Sequence, residues 1–326
     1  MDHSEFRRTT VAPVLTAYAG TPGVDAVMLG GSTARGDADR WSDVEIGVFW
    51  ARPPTTAERL APAPSVRPGT PEDDGSPWHD YLSLEDLAID VEHALSSTVD
   101  VTLDLVLDEF VPDPDGLTLL KGLVDGREIS GPRPELVHRW QRRASTYPRG
   151  LAIAIVEQDG PIDKFWRCQM LAERDNPVLL AREYLRMINQ MLAVLHAVNG
   201  LYSGHVLAFK RLDAMEAELT HTPRQLAARL RAVFTAPPPQ AAEILRQKST
   251  ACSPPGNNRS VDRRNLRRDR GAPTRGRRRP PANPLPRSSQ TCGGAQDPTT
   301  DRTRYLAWRS GARGPSPRQP GRACPS

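Results

Sequence analysis

Apolar side chains in the first 250 residues follow two periods, one of two and one of three to four, and the balance between them shifts near residue 130. Val11, Val14, Leu15 and Tyr18 fall three or four apart. That is the spacing of one helix face, and with Ser4 available as a cap it predicts a helix over 4–19. Gly20 and Pro22–Gly23 stop it. The apolar run Val24–Leu29, closed by Gly30–Gly31, reads as a buried strand, and the alternation in Val44–Trp50 as the next. Residues 51–79 hold seven prolines between Pro53 and Pro77, which predicts a long irregular connection with one helical turn at 56–60. Leu87, Ile89 and Val91 alternate with Ala88, Asp90 and Glu92, a third strand with its carboxylates opposite its aliphatics. A helix over about 97–110, a turn near 117–122 and a short stretch at 127–130 precede Pro132 and Pro134.

From residue 135 the period is helical almost throughout. Helices are predicted over 134–145, 147–157, 162–173, 177–199, 207–219, 223–235 and 238–248, separated by Gly, Pro or Asn breaks. The longest carries Leu179, Leu180, Tyr184, Met187, Met191, Leu192 and Leu195, a stripe wide enough for the centre of a bundle. Strands first and helices afterwards predict an α+β fold. A small mixed-sheet domain over 1–132 is followed by an all-α bundle over 133–248 and a tail over 249–326.

Composition separates that tail from the rest. Residues 251–326 hold 17 Arg and 4 Asp with no Lys or Glu, a charge of +13, whereas residues 1–250 carry 26 basic and 35 acidic side chains, a charge of −9. The net +4 therefore describes neither part. With 12 Pro, 8 Gly and four residues from Leu, Ile, Val and Phe, the tail cannot bury enough apolar surface to offset backbone ordering, and disorder is expected. Its arginine clusters suit a nucleic-acid-binding arm. The loss of Lys, Glu, Ile, Phe, Met and His together instead matches a GC-rich gene read out of frame.

Cys168 is the only cysteine before residue 250, which excludes a disulfide scaffold or a cysteine-ligated metal in the fold. No run of 18 apolar residues offers a membrane span, and Met1–Thr10 lacks the apolar core of a signal peptide. A cytoplasmic protein is expected.

The chemistry concentrates in Leu29-Gly-Gly-Ser-Thr-Ala-Arg-Gly-Asp-Ala-Asp-Arg-Trp-Ser-Asp-Val-Glu-Ile46. A glycine–serine turn after a strand lets backbone N–H groups approach phosphate oxygens, with the Ser32 hydroxyl as a further donor. Asp43 and Glu45, two apart on a strand, point to one face, where paired carboxylates suit a divalent cation. A third acid comes from the next predicted strand. Asp90, flanked directly by aliphatics, is favoured, with Glu92 beside His93 as the alternative. No Ser-His-Asp arrangement, Walker loop or zinc-ligand spacing competes.

The string Gly31-Ser32 … Asp43-x-Glu45 resembles the signature of the polymerase-beta-like nucleotidyltransferase superfamily. The longer pattern Gly-Ser-x-Ala-Arg-Gly … Ser-Asp-x-Glu is similar to its small bacterial members, among them aminoglycoside and minimal nucleotidyltransferases. The resemblance covers about 17 residues, reaching about residue 93 with the third acid. It departs from the commonest pattern in having Glu45 rather than Asp as second acid. It implies that Gly31 and Ser32 hold the β- and γ-phosphates of a nucleoside triphosphate, ATP as the expected donor, and that Arg35 contacts phosphate. It implies further that Asp43, Glu45 and Asp90 coordinate Mg²⁺, the third acid also helping to deprotonate the attacking hydroxyl.

The expected activity is transfer of a nucleoside monophosphate to a hydroxyl of a small molecule. A charge of −9 over residues 1–250 favours a polycation such as an aminoglycoside-like antibiotic and disfavours nucleic acid. Two alternatives stand beside it: a protein-AMPylating or toxin-neutralising antitoxin-type module, and a non-catalytic nucleotide-binding relic. Lys210–Arg211 reads either as a cationic pair aimed at triphosphate or acceptor, or as a solvated helix start. His93 and His196 read as packing or surface residues.

Overall fold

The computed structural model describes residues 2–62, 67–68, 79–84, 86–162, 164–203, 211–238, 240–241 and 244–245. The predicted tail and most of the predicted helix 238–248 lie outside these residues. The chain divides into two compact units, Met1–Ser253 and Pro254–Ser326, and the described residues all belong to the first.

Helix α1 (His3–Ala19) buries Ser4, Arg7, Val11, Val14, Leu15 and Tyr18 along one face. Its cap is Asp2, whose side chain accepts from the backbone N–H groups of Ser4 and Glu5, and not Ser4 as the sequence suggests. Ser4 is instead buried, and its hydroxyl accepts from the Ala38 N–H. Strand β1 (Val24–Leu29), the short helix α2 (Gly31–Arg35) and strand β2 (Val44–Trp50) follow. The proline-rich connection contains α3 (Thr56–Arg59), which carries a capping box between Thr55 and Glu58, and β3 (Arg67–Pro68). Strand β4 (His79–Leu84) precedes β5 (Leu87–Leu95).

Helix α4 (Ser96–Leu103) runs into a π-helical turn over Asp104–Asp108, where the sequence predicts one continuous helix. Helix α5 (Pro114–Asp125) is longer than the predicted turn, and Asp113 caps it by accepting from the Gly116 N–H. Strand β6 (Arg127–Ser130) and helix α6 (Pro134–Ala144) close this part. Among the described residues five more helices follow: α7 (Arg149–Asp159), α8 (Phe165–Glu173), α9 (Pro177–Val198), α10 (Leu212–Glu218) and α11 (Leu226–Thr235).

The sheet has the order β3-β4-β5-β2-β1-β6. Among the described residues only β2 and β5 run parallel, so the sheet is mixed and the fold is α+β. Because side chains alternate across a sheet, β2 sends Val44, Ile46, Val48 and Trp50 to one face. There they join Val27, Leu29, Ile89 and Val91 beneath the buried stripe of α1. On the other face Ala26, Met28 and Phe49 pack against Val99, Leu103, Leu120, Leu123 and Trp140 from α4, α5 and α6. Helix α6, with Leu151 and Ile155 of α7, thus shares the core of the sheet. A third core joins α8 to α11 around Cys168, Met187, Met191, Leu195 and Leu230.

Helix cover on the second face therefore centres on β1, β6 and the later residues of β2 and β5. Where β4, β5 and β2 lie side by side near Glu45, the same face is polar. Glu45 and Glu92 are exposed and Asp90, His79 and Tyr81 are half-buried.

Candidate active site

The turn after β1 is shaped by two glycines. Gly30 N–H donates to the Glu45 carbonyl at 2.8 Å, carrying the β1–β2 ladder one residue past the strand. Gly31 then takes φ +60, a left-handed conformation that side chains disfavour. A Cβ at Gly31 would also overlap the Glu45 carboxyl, so glycine is what lets that carboxyl lie against the turn. Ser32 is half-buried, and its carbonyl accepts from Gly36 N–H at 3.1 Å and Asp37 N–H at 3.0 Å, closing the turn.

The loop from Gly36 to Asp43 is held from beneath by α1. Ser4 Oγ accepts from Ala38 N–H at 3.1 Å, and the buried Arg7 donates through Nε to the Ser42 carbonyl at 2.9 Å. Arg8 donates to the Ala34 carbonyl at 3.3 Å. Within the loop, the Asp39 carboxylate accepts from Trp41 N–H at 2.9 Å and from Ser42 Oγ at 3.2 Å. A side chain from beyond α9 also reaches it: Arg211 donates to Asp39 at 3.0 Å. Arg211 is exposed and engaged there, while Lys210 lies outside the described residues.

The predicted acids lie on or next to the neighbouring strands β2 and β5. Asp43 immediately precedes β2, and its Oδ1 is buried with no hydrogen-bond partner among the described residues. Register in the parallel pair sets Glu45 beside Asp90 and Gly47 beside Glu92. Asp90 is thus the direct cross-strand neighbour of Glu45, and Glu92 lies one strand repeat further on. The Glu45 carboxyl is pushed up to about 7, first by loss of hydration and then by the charges of Asp43, Glu92 and Asp90, against a lowering by Arg35. The side chain as a whole remains open to solvent; it is the carboxyl, folded back against Gly31, that is poorly hydrated.

Arg35 is exposed and forms ion pairs with Asp37 at 3.4 Å and Asp125 at 3.1 Å. It lies within the electrostatic reach of Glu45 without bonding it. His93 faces the opposite side of the sheet, in the α1 core, where its Nδ1 accepts from Trp50 Nε1 at 3.1 Å and its Nε2 meets Asp80 at 3.0 Å. His196 is buried with Nδ1 at 2.7 Å from the Leu192 carbonyl. Both are packing residues, in accord with the sequence reading.

Sequence reasoning overlooks His79. It bonds Asp90 Oδ1 through Nε2 and stacks on Tyr81, with ring centroids 4.5 Å apart and planes 25° from parallel. Its strand is hidden because Asp80, a charged residue, points into the core and breaks the apolar alternation. Arg59 and His93 balance that charge. The remaining signal was the His-x-Tyr spacing, two aromatic rings on one strand face.

The donor set suits a hard divalent cation, since carboxylate oxygens are its preferred ligands. One of these oxygens is buried without a partner, and the proton affinity of Glu45 is raised by loss of hydration and then by its acidic neighbours; a cation would offset both. Among the described residues, however, no three His, Cys, Asp or Glu side chains converge as a ready-made metal site. Asp90 is turned to His79 and Glu45 to Gly31.

No family model matches the sequence. No curated protein matches it either. Among solved structures it is similar to a nucleotidyltransferase-like protein from Exiguobacterium sibiricum, with a TM-score of 0.36 and 11% identity over 75% of each chain. A likeness at that level assigns neither substrate nor activity. Among the described residues no helix is long and apolar enough to cross a membrane.

Proposed function

We propose that this protein transfers a nucleoside monophosphate, AMP from ATP, to a hydroxyl of a small polycationic acceptor of the aminoglycoside type. One observation carries the reading. Asp43 presents a buried, unpartnered carboxylate oxygen beside Glu45, itself in register with Asp90, at the mouth of a turn that only glycine permits. A structural carboxylate would be expected to find a hydrogen-bond donor, because an unpaired buried polar atom costs about 1–3 kcal/mol. A cation-binding carboxylate is kept free of one.

In the proposed reaction the acceptor oxygen forms a bond to the α-phosphorus. The bond between that phosphorus and the bridging oxygen breaks, pyrophosphate leaves, and the acceptor proton passes to a base. Asp43, Glu45 and Asp90 would hold Mg²⁺, and bound Mg²⁺ would supply positive charge to the phosphate, entering and leaving oxygens. Gly31 and Ser32 offer backbone and hydroxyl donors to the β- and γ-phosphates. The Asp90 carboxylate accepts the acceptor's proton or passes it to solvent. Arg35, within electrostatic reach of Glu45, adds positive potential near the phosphates while tethered to Asp37 and Asp125. The exposed acids Glu45 and Glu92 favour an acceptor rich in ammonium groups.

The test is incubation of the full chain with Mg²⁺, α-labelled ATP and a panel of aminoglycoside and other polyhydroxylated amines. The expected result is labelled product and pyrophosphate, with the rate reduced about 10³-fold in Asp43→Ala, the scale of removing one group that stabilises transition-state charge. Turnover undiminished in Asp43→Ala, or no transfer to any acceptor, overturns the proposal.

A further inference from the structure

Strand β4 brings one more residue to this face. In the antiparallel β4–β5 pair, His79 lies opposite Glu92 and Tyr81 opposite Asp90. The His79 side chain reaches diagonally to Asp90 Oδ1 and not along its own register row. Its ring is fixed by the stack on Tyr81, and its side chain is only 16% exposed. Between these two residues, Asp80 points to the other face, where Arg59 binds it at 2.5 Å and His93 at 3.0 Å. The strand is pinned on both faces, so the imidazole is held in place by residues outside the acidic cluster.

A carboxylate in register with Glu45, and on the same strand face as Glu92, has an electrostatic reason to turn outward to water. A donor on one of its oxygens opposes that, fixing the rotamer and leaving Oδ2 to point elsewhere. We infer that His79 is a positioning residue for Asp90: its Nε2–H holds Oδ1 so that the other oxygen is presented to a divalent cation shared with Asp43 and Glu45. The inference rests on the nucleotidyl-transfer reading of this face. It also distinguishes the two acids on β5, because the structure gives the imidazole to Asp90. Partners that orient a metal ligand in this way typically change metal affinity about 10–100-fold when removed.

The experiment uses the full chain and Mn²⁺ alone, titrated by electron paramagnetic resonance, with nucleotide absent. His79→Ala is expected to bind Mn²⁺ about tenfold more weakly than wild type. His79→Gln, whose amide N–H replaces the donor, should recover most of that loss. His79→Phe keeps a ring on Tyr81 but has no donor; it should behave like His79→Ala and serves in its place if that variant fails to fold. With acceptor and ATP, the same variants should lower kcat and leave the acceptor KM unchanged. Wild-type Mn²⁺ affinity in His79→Ala or His79→Phe overturns the inference. So does failure of His79→Gln to recover binding when its melting temperature matches wild type, and so does absence of Mn²⁺ binding by the wild type. Wild-type Mn²⁺ binding that depends on His79 with no transfer to any acceptor upholds the inference and defeats the transfer reading alone.

Discussion

Glu45 meets two demands at one carboxyl, contact with the Gly31 turn and proximity to Asp43 and Asp90, while the rest of its side chain stays exposed. The cost is visible in its proton affinity, which rises from an ordinary value of 4.5 to about 7. A carboxyl that holds its proton more tightly in the folded than in the unfolded chain makes the folded state bind more protons between those two values. Stability must then fall as pH rises from about 4.5 to about 7, and level off beyond. In metal-free protein, Glu45→Gln is expected to remove this part of the slope and to melt higher than wild type at pH 8, with little difference at pH 4.5. Added Mg²⁺ at pH 8 should raise the wild-type melting temperature more than that of the variant, and calorimetry with and without the ion checks both. If Glu45→Gln melts lower at pH 8, the strain assigned to this carboxyl is absent. These residues were legible in the sequence because their relations are local: a glycine turn, a fixed gap and two acids on one strand. Register added what sequence left open, setting Asp90 and not Glu92 beside Glu45. His79 stayed hidden because its partner lies across a strand pair that the proline-rich stretch conceals.

At the scale of elements, β4 shows why alternation fails as a guide where charge is buried. Its core-facing positions are Asp80, Leu82 and Leu84, and the first is acceptable only because Arg59, His93, Trp50 and Tyr18 form a polar network under α1. Tyr18 Oη donates to the Arg59 carbonyl at 2.8 Å, and Trp50 Nε1 donates to His93. Since an indole N–H can only donate, His93 Nδ1 must be the acceptor, which leaves the ring proton on Nε2, 3.0 Å from the Asp80 carboxylate. Protonating Nδ1 would break the bond to Trp50, and burial, the first cause, holds the His93 pKa below its usual 6.5 in spite of Asp80. The sign is opposite to that of Glu45: the unfolded chain takes up the proton first, so stability falls as pH drops below about 6.5. His93→Gln, which keeps a donor for Asp80, should be less stable than wild type at pH 7.5 and nearly equal to it at pH 5. Denaturant titrations at the two pH values read this directly, and a wild-type curve flat between pH 7.5 and 5 argues against the network. The π-helical turn at Asp104–Asp108 was equally illegible. Arg143 binds both Asp104 and Asp108 at 2.9 Å from α6, a tertiary pairing that periodicity does not report. By contrast α1, β2, β5 and the helices from α6 to α9 were readable because each has a continuous apolar face, and β1 because it is an unbroken run buried on both faces.

Across the whole molecule, charge is the property that sequence made plainest, since residues 1–250 carry −9 while the chain as a whole carries +4. What the sequence could not show is where those acids stand. Several are consumed in pairs with basic side chains: Asp100 with Arg139, Asp125 with Lys121, Asp213 with Arg231. Near β2 and β5, Asp43, Glu45 and Glu92 share one open face, with Asp90 beside them. Such a face draws in an oligoamine and repels a free triphosphate over distances comparable to the Debye length, about 10 Å at 0.1 M salt and about 3 Å at 1 M. On the proposed reaction, acceptor and ATP should therefore respond to salt in opposite senses. Between 0.05 and 0.5 M KCl the KM for a tetracationic acceptor is expected to rise on the order of tenfold, within the range of electrostatic focusing by a charged cleft. The KM for ATP at saturating Mg²⁺ should stay level or fall, because screening weakens a repulsion. Glu92→Gln should flatten the acceptor's salt dependence, with kcat at saturating acceptor little changed, because Glu92 lies one strand repeat away from Glu45. Steady-state kinetics at four or five ionic strengths decide the matter. A parallel rise in both KM values would mean that ordinary ion competition, and not the acidic face, governs the encounter.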